Sequence, residues 1–169
     1  NAPDSSCRQW DHFVHWPDLY QGWWCVTALP EIIKHRPVVV RYFLTDEDAV
    51  VRRWLREGTS GGRIDVADEL PMPYLRMMRT SVRETKPDAI IIGEVWEDAS
   101  NKISYGEMRS YCLGATPDGV MNYPLRDAAT GFLNGRLDRT AFTRSMDSPY
   151  QNYTAPFART LMNVMGSPY

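Results

Sequence analysis

Two carboxylate-bearing motifs end two predicted strands, and a helical pattern separates them. The segment Gly61–Asp65 closes with Arg-x-Asp, and Glu94 directly follows the apolar run Ile90–Gly93. Because the strands of a parallel α/β unit run in the same direction, both carboxylates are expected at the same rim of the sheet. Breaking a glycosidic bond requires two carboxyl groups that face each other across a sugar. The pattern therefore predicts a site for that chemistry, built on Asp65 and Glu94.

The flanking residues assign different tasks to the two carboxyl groups. Cleavage with retention of configuration requires a nucleophilic carboxylate and a proton-donating carboxylic acid roughly 5–5.5 Å apart. Arg63 lies two residues before Asp65 on the same strand face, where its charge stabilises an ionised nucleophile. Apolar residues flank Glu94 in the sequence, including Val95 and Trp96, and apolar surroundings favour a protonated acid. Trp96 has two open interpretations, since its ring could stack on a sugar or fill the core.

A structural interpretation competes for each motif. An Arg-x-Asp sequence on a strand is often a structural ion pair, and a glutamate at a strand end is common. Taken separately, Asp65 and Glu94 would therefore not predict catalysis, whereas their placement at one rim with fitting neighbours favours it. A phosphate-binding loop at residues 58–62 is disfavoured, because no Gly-Lys-Ser/Thr follows and the segment leads into a strand.

Composition narrows the class of protein. The 169 residues are 43% hydrophobic and 24% charged, as in a globular domain with a sizeable core. A net charge of −2 argues against a nucleic-acid partner, and no apolar run approaches the roughly 20 residues that span a membrane. Cys7, Cys25 and Cys112 form no C-x-x-C pair, which indicates reduced thiols in a cytoplasmic protein. The histidines show no metal-ligand spacing, so neither a metal nor a cofactor is predicted.

The periodicity predicts alternating helices and strands after a first quarter without regular pattern, residues 1 to about 44. A helix is expected from Thr45, with Asp48 completing a capping-box pair, to Gly58. The run Ala89–Gly93 has the composition of a strand that is buried on both faces. The remaining elements are strands at 61–67, 119–123 and 161–165 and helices at 71–84, 125–133 and 139–146.

This order of elements predicts an α/β fold with parallel strands. Four such strands could form a small open sheet or half of a closed barrel. Functional residues that recur at the carboxyl ends of successive strands favour the barrel.

The motifs together resemble glycoside hydrolase family 13, the α-amylase family, and most of all its neopullulanase, cyclomaltodextrinase and amylopullulanase-type members. The family's nucleophile motif reads Gly-aromatic-Arg-x-Asp, which Gly61–Asp65 matches except at Gly62. The tail Val66–Glu69 is similar to the neopullulanase-like branch, and Gly93–Asp98 is similar to the acid/base motif. The resemblance covers essentially the whole chain, because further similar segments are Trp23–Trp24 with Leu29–Pro30, Val120–Pro124 and Leu161–Ser167.

The resemblance implies a role for each site residue. Asp65 would be the nucleophile, Glu94 the acid/base and Arg63 the partner of the nucleophile. The substrate-binding residues, of which the first two border the leaving-group side of the cleft, would be Asp68, Glu69, Trp96, Asn122 and Tyr123.

The same resemblance implies the fold and the substrate. The fold would be a partial (β/α)8 TIM barrel that carries about strands four to seven. Residues 1–44 would be the tail of a loop domain inserted between the third strand and the third helix, and residues 45–169 the partial catalytic barrel. The activity would be retaining hydrolysis of α-glucosidic bonds in maltodextrins, pullulan or cyclodextrins. The sequence leaves open whether the parent protein binds calcium and whether it is a homodimer.

Four departures from the family pattern bear on activity. Gly62 replaces an aromatic residue, and Cys25–Thr27 stands where relatives usually have Gly-Ile-Asp. The third-strand motif with an Asp and a His is absent, and the last motif ends as Pro168–Tyr169 instead of His-Asp. With its start at Asn1 and its end directly after an apolar run, the sequence predicts a fragment that is inactive alone. A non-catalytic, carbohydrate-binding or scaffolding relative of the family is the alternative, because fold does not fix function.

Overall fold

The computed structural model describes residues 4–166. In chain order the strands are β1 (Phe13–His15), β2 (Leu19–Tyr20), β3 (Gly22–Trp23), β4 (Val26–Pro30), β5 (Gly61–Ile64), β6 (Ile90–Gly93), β7 (Ile103–Ser104), β8 (Glu107–Met108), β9 (Gly119–Asn122) and β10 (Met162–Asn163). The α-helices are α1 (Pro37–Val40), α2 (Val50–Arg56), α3 (Met72–Thr85), α4 (Tyr123–Leu133), α5 (Arg139–Asn152) and α6 (Ala155–Arg159). A π-helical segment, Arg41–Thr45, continues α1, and short 3-10 turns lie at Ser6–Gln9, Ala67–Glu69 and Tyr111–Leu113.

Four strands form one parallel sheet in the order β10-β9-β6-β5. Ile64 of β5 lies beside Gly93 of β6, which in turn lies beside Val120 of β9. This register brings the carboxyl ends of β5 and β6 level, so that Asp65 and Glu94 leave the sheet at the same edge. The predicted α/β fold with parallel strands is confirmed.

The core lies between this sheet and the helices that connect its strands. Ile64, Ile91 and Val120, one from each of three neighbouring strands, are buried and cluster with Leu55 of α2 and Leu75 of α3. Burial of each large aliphatic side chain contributes roughly 1.5–3 kcal/mol relative to exposure. This apolar layer therefore holds in place the strand ends that carry the two carboxylates.

The prediction that the 89–93 strand is buried on both faces is wrong at Ile90. Ile91 faces the core, but Ile90 points to the opposite face and is 47% exposed. The strand that is buried along its whole length is instead β9. On the same face of the sheet as Ile90, the Arg63 side chain extends to Met121 of β9, and its Nε lies 3.3 Å from the Met121 sulfur.

The predicted helix start at Thr45 is also wrong. Thr45 ends the π-helical segment that continues α1, and α2 begins at Val50 with Ala49 as its N-cap and without a side-chain cap. The reason is tertiary, because α1 and the π-helical segment bury Val39 and Leu44. The chain is therefore already helical at Thr45, and the first extended residue after it is Asp46.

The later helices are close to their predicted positions. α3 buries Met72, Leu75 and Val82 on one face, as its apolar spacing predicts. The side chain of Asn122 caps α4 by accepting a hydrogen bond from the N–H of Leu125 at 3.2 Å. α5 runs to Asn152, six residues beyond its predicted end, and continues through the buried Pro149.

The first part of the chain is more regular than predicted. β1 and β2 form one antiparallel hairpin, and β3 and β4 form another. A bridge between Asp11 and Ile32 brings the two ends of this region together, and edge-to-face contacts such as Phe13 against Trp16 (ring centroids 4.6 Å apart) pack its aromatic residues. The domain division between residues 44 and 45 stays a prediction.

Candidate active site

Arg63 joins the two predicted carboxylates. Arg63 lies on β5. Its guanidinium places Nη1 2.5 Å from Oδ1 of Asp65 and Nη2 2.7 Å from Oε1 of Glu94. One nitrogen therefore serves each carboxylate, and a single planar cation fixes their mutual orientation. The sheet positions the group, since Asp65 directly follows β5 and Glu94 directly follows β6 in register. The structure thus brings together the three predicted catalytic residues.

The two carboxyl groups differ in exposure and surroundings. The Asp65 side chain is 61% exposed, whereas that of Glu94 is 0% exposed. Besides the contact with Arg63, Oε1 of Glu94 accepts a hydrogen bond from the Tyr123 hydroxyl (2.9 Å), and Oε2 accepts one from the N–H of Val66 (2.9 Å). The expected apolar surroundings of Glu94 are therefore wrong, because polar donors meet both of its oxygens.

The turn after Asp65 is shaped to reach Glu94. Val66 has a left-handed backbone, φ 39° and ψ 63°, which is rare for a β-branched residue and costs of order 1–3 kcal/mol. In this conformation the N–H of Val66 meets the Glu94 carboxylate, and the N–H of Ala67 donates to the Glu94 carbonyl at 3.0 Å. The predicted strand to Ala67 ends instead at Ile64. No sequence signal marks this turn, since valine favours strands.

Asp68 and Glu69 follow this turn and are tied to the loop between β6 and β9. Asp68 accepts a hydrogen bond from the Tyr111 hydroxyl (2.7 Å) and pairs with Lys102 (3.2 Å). Glu69 accepts a hydrogen bond from the Tyr105 hydroxyl (2.5 Å). Burial, together with the bond to Asp68, raises the pKa of Tyr111 well above its usual range, so it donates as a neutral phenol. Sequence reasoning missed all three partners, because they lie more than 30 residues away.

The buried side chain of Arg109 binds the backbone of the segment that carries Asp68 and Glu69. Nη2 of Arg109 donates to the carbonyl of Leu70 at 2.5 Å and approaches that of Ala67 at 3.4 Å. Its Nε donates to the Tyr111 hydroxyl at 3.1 Å. Arg109 is therefore a positioning residue for the segment that carries Asp68 and Glu69. Nothing in the sequence distinguishes it from a surface arginine.

The three remaining predicted substrate-binding residues have different surroundings. Trp96 is 44% exposed, and its ring centroid lies 6.0 Å from that of Trp24. Asn122 is buried, and its amide nitrogen donates to the side-chain oxygen of Asn163 at 3.0 Å. Tyr123 is buried behind Glu94. Trp96 is therefore accessible at the surface, while Asn122 and Tyr123 lie inside, at the carboxyl edge of the sheet.

The described part of the chain contains neither a metal-binding cluster nor a membrane-spanning helix. Within residues 4–166, no group of three or more His, Cys, Asp or Glu side chains could hold a metal ion. None of the helices in this range is long and apolar enough to cross a membrane. The departures at Pro168–Tyr169 and the start at Asn1 lie outside the described residues.

Known proteins resemble the chain along its length. A cyclomaltodextrinase of Thermoanaerobacter pseudethanolicus is 30% identical over 176 residues, which cover 99% of this chain and 28% of that protein. Neopullulanase 2 of Thermoactinomyces vulgaris is 31% identical over 143 residues, which cover 84% of this chain and 22% of that protein. The solved structure of a cyclic α-maltosyl-(1→6)-maltose hydrolase from Arthrobacter globiformis superposes with a TM-score of 0.86 at 26% identity, covering 98% of this chain and 36% of that one.

The chain thus spans a minor part of each relative's length, and that part contains the carboxyl edge with Arg63, Asp65 and Glu94. The family model described as "Alpha amylase, catalytic domain" matches residues 14–165. Residues 14–165 include all of β5, β6, β9 and β10 and therefore the whole parallel sheet. The chain belongs to the α-amylase catalytic-domain family, and its sheet is part of that family's (β/α)8 barrel.

Proposed function

We propose that the protein containing this chain is a retaining glycoside hydrolase that cleaves α-glucosidic bonds in maltodextrins, pullulan or cyclodextrins. The observation that carries the proposal is the Arg63 guanidinium, which bridges an exposed Asp65 and a buried Glu94 at one edge of the sheet. One cation in contact with both carboxylates supports the short separation that a retaining pair needs, roughly 5–5.5 Å.

In this proposal Asp65 forms the bond to the sugar. Its carboxylate attacks the anomeric carbon and gives a glycosyl ester, while Glu94 transfers a proton to the departing glycosidic oxygen. Glu94 then accepts a proton from a water molecule, which attacks the same carbon and releases Asp65. Two successive inversions retain the configuration. Arg63 stabilises the negative charge on Asp65 before the first step and after the second.

Proton transfer requires that the carboxyl group of Glu94 reach the substrate. In the structure its side chain is 0% exposed, and Oε1 is engaged by both Arg63 and Tyr123. The proposal therefore includes release of Oε1 from one of these partners when substrate occupies the site. Arg63 is the partner that we expect to move, because its side chain is 31% exposed whereas Tyr123 is buried.

The substrate class rests on the relatives, whose names refer to cyclomaltodextrin, pullulan and cyclic α-maltosyl-(1→6)-maltose. The proposed substrate-binding residues are Asp68 and Glu69, which border the leaving-group side of the cleft, together with Trp96, Asn122 and Tyr123. Residues 1–44 are proposed to be the tail of an inserted loop domain. A cytoplasmic location is supported by two described cysteines, Cys25 and Cys112, which are both free thiols.

The stereochemistry of the first product tests this proposal. The parent protein is incubated with maltoheptaose, and proton NMR follows the anomeric signals during the first minutes. A retaining enzyme releases the α-anomer first, and mutarotation then produces the β-anomer. An initial β-anomer would exclude the double displacement and with it the nucleophilic role of Asp65.

A second candidate function is carbohydrate binding without turnover. The observation that favours it is the complete burial of Glu94 in an ion pair with Arg63, because a buried ion pair at a strand end is also a purely structural arrangement. The two functions predict different results with the same material. A binding protein would show affinity for maltoheptaose by calorimetry but no release of reducing ends, whereas the enzyme shows both.

A further inference from the structure

Two hairpin turns lie close to Glu69 and line one cleft. The β3–β4 hairpin turns at Trp24–Cys25, and the β7–β8 hairpin turns at Tyr105–Gly106. The cleft between them has a volume of about 710 Å³. We call it the tip cleft, and the side chains that line it include Tyr20, Trp23, Trp24, Glu31, Glu69 and Tyr105.

Both turns hold non-glycine residues in the left-handed region. Trp24 has φ 49°, Cys25 has φ 62° and Tyr105 has φ 52°. Bulky residues rarely adopt such values, and each costs of order 1–3 kcal/mol. Because local strain of this kind is concentrated in ligand-binding segments, the two turns are candidates for a functional role. Their common consequence is that an aromatic ring is presented at the tip of each hairpin.

The rings at the two tips are exposed and connected. Tyr105 is 77% exposed and Trp24 is 52% exposed. The bond to Glu69 raises the pKa of Tyr105, while a side-chain hydrogen bond with Trp24 partly opposes this shift, so the two tips touch. Trp23 differs, because the Lys34 ammonium lies over its ring at 4.7 Å from the centroid. The rings with faces open to a ligand are therefore those of Trp24 and Tyr105.

The tip cleft is connected to the proposed active site through Glu69 and Trp96. Glu69, four residues after Asp65, lines the cleft and accepts the hydrogen bond from the Tyr105 hydroxyl. Trp96, two residues after Glu94, packs against Trp24 with ring centroids 6.0 Å apart. Each hairpin tip thus contacts a residue that lies within four positions of a catalytic carboxylate in the sequence. A chain that extends from the cleaved bond past Glu69 would run along the two rings, which both line the cleft.

From this arrangement we propose that the tip cleft is a glucan-binding site on the leaving-group side, in which Tyr105 and Trp24 hold glucosyl units beyond the one released at the cleaved bond. The proposal deepens the proposed hydrolase function and rests on it. Aromatic rings offer flat apolar faces to the C–H faces of sugars, and the carboxylates of Glu31 and Glu69 offer acceptors to sugar hydroxyls. Longer α-glucans would use the site, and substrates with a short leaving group would not.

The test compares two substrates in the full parent protein. Maltoheptaose extends into the tip cleft, whereas 4-nitrophenyl α-maltoside has a single-ring leaving group that ends short of it. The variants are Tyr105→Ala, which removes the ring, Tyr105→Phe, which removes only the hydroxyl, and Trp24→Ala. Tyr150→Ala is the matched control, because Tyr150 is also an exposed tyrosine but lies on α5 outside the cleft. Thermal unfolding verifies that each variant is folded.

Tyr105→Ala is expected to lower kcat/KM for maltoheptaose about tenfold, the usual scale for truncation of an aromatic contact, and to leave the aryl maltoside unchanged. Tyr105→Phe should stay within about threefold of the unmutated protein, since the ring remains. Trp24→Ala should follow Tyr105→Ala, and Tyr150→Ala should change neither substrate. Equal losses on both substrates, no loss at all, or a Phe variant as impaired as the Ala variant would overturn the proposal.

Failure of this site and failure of the proposed function give different results. If the unmutated protein cleaves maltoheptaose but Tyr105→Ala shows no length-dependent loss, only the tip cleft is refuted. If the unmutated protein cleaves neither substrate, the hydrolase function is refuted, and calorimetric binding of maltoheptaose then tests the cleft by itself. A dissociation constant at least about tenfold weaker in Tyr105→Ala supports the site, and an unchanged constant overturns it.

Discussion

The hydroxyl of Tyr123 donates a hydrogen bond to the fully buried carboxylate of Glu94 at 2.9 Å. Tyr123 is the first residue of α4, directly after β9, so the third strand of the sheet contributes to a site that the first two strands begin. A buried carboxylate depends on such donors, because an unsatisfied polar group in the interior is costly.

Tyr123→Phe removes this donor and leaves the ring in place. We expect the free energy of unfolding to fall by about 1.5–3 kcal/mol, the range for loss of one hydrogen bond to a charged group, because Arg63 still contacts the same oxygen of Glu94. Urea denaturation of the parent protein measures the change. Tyr150→Phe, which alters an exposed tyrosine on α5, is the control and should have no effect. A Tyr123→Phe variant as stable as the control would show that the bond contributes nothing.

Asp65→Asn should remove most turnover while maltoheptaose binding persists, because the amide cannot form the glycosyl ester. Asp127→Asn is a closely matched control. Asp127 pairs with the adjacent Arg126 at 2.8 Å and has the same 61% exposed side chain as Asp65, but lies on α4. Steady-state kinetics and calorimetry measure the two properties. Activity of Asp65→Asn within about tenfold of the unmutated protein, equivalent to roughly 1.4 kcal/mol, would place the nucleophile elsewhere.

Glu94→Gln should slow the hydrolysis of maltodextrins far more than that of an activated aryl glycoside. The acid is needed when the leaving oxygen is basic, and an aryloxide leaves without protonation. The ratio of kcat/KM for the two substrates, compared between the variant and the unmutated protein, gives the result. If both substrates slow by the same factor, Glu94 has a structural role and another group supplies the proton.

The surroundings of Asp118 make the free energy of unfolding depend on pH. Burial by itself raises the pKa of Asp118, but hydrogen bonds from Arg79 and the N–H of Ile91, with the charges of Arg79 and Arg83, lower it on balance. A carboxyl group whose pKa is depressed by folding contributes stability above its unfolded value of about 3.9, and this contribution is lost as pH falls through the folded value. Unfolding free energy measured from pH 7 down to pH 3 should therefore decline.

Asp118→Asn should reduce the unfolding free energy at pH 7 and flatten that decline. The side chain of Asp118 is only 10% exposed, so solvent screening weakens its ion pairs little. Asp127→Asn again serves as the exposed control. An acid profile that Asp118→Asn leaves as steep as before would assign the pH dependence to other carboxyl groups.

Gly62 occupies a position with open space beside it. A Cβ built there meets nothing within 4 Å, and Gly62 borders an apolar hollow of about 360 Å³ that Val51 and Trp54 also line. Gly62→Phe should fill this hollow and raise the free energy of unfolding by about 1 kcal/mol or more. Gly119→Ala is the opposite case, because its Cβ would lie 2.2 Å from the Thr160 carbonyl oxygen, and it should be strongly destabilising. Destabilisation by Gly62→Phe would mean that the hollow is filled in the parent protein.

Local sequence patterns are enough to predict two of the strands and the edge of the sheet at which Asp65 and Glu94 lie. The β-branched run before Glu94 and the Arg-x-Asp motif before the next helix define two strands through local composition. Parallel connection then puts Asp65 and Glu94 at one edge, whatever the details of packing. Arg63 could be assigned as a partner of Asp65 for the same reason, since residues two apart on a strand share a face.

The surroundings of each carboxylate depend on contacts between residues that are far apart in the sequence. Tyr123 lies 29 residues from Glu94, and Tyr111 lies 43 residues from Asp68, so no local pattern links them. The left-handed turn at Val66 likewise goes against the strand preference of valine and persists because its N–H is bound by Glu94. Periodicity reports which face of an element is apolar, whereas contacts between distant side chains depend on how elements pack. That difference explains why the edge that carries Asp65 and Glu94 could be predicted, while the polar donors around Glu94 and the tip cleft could not.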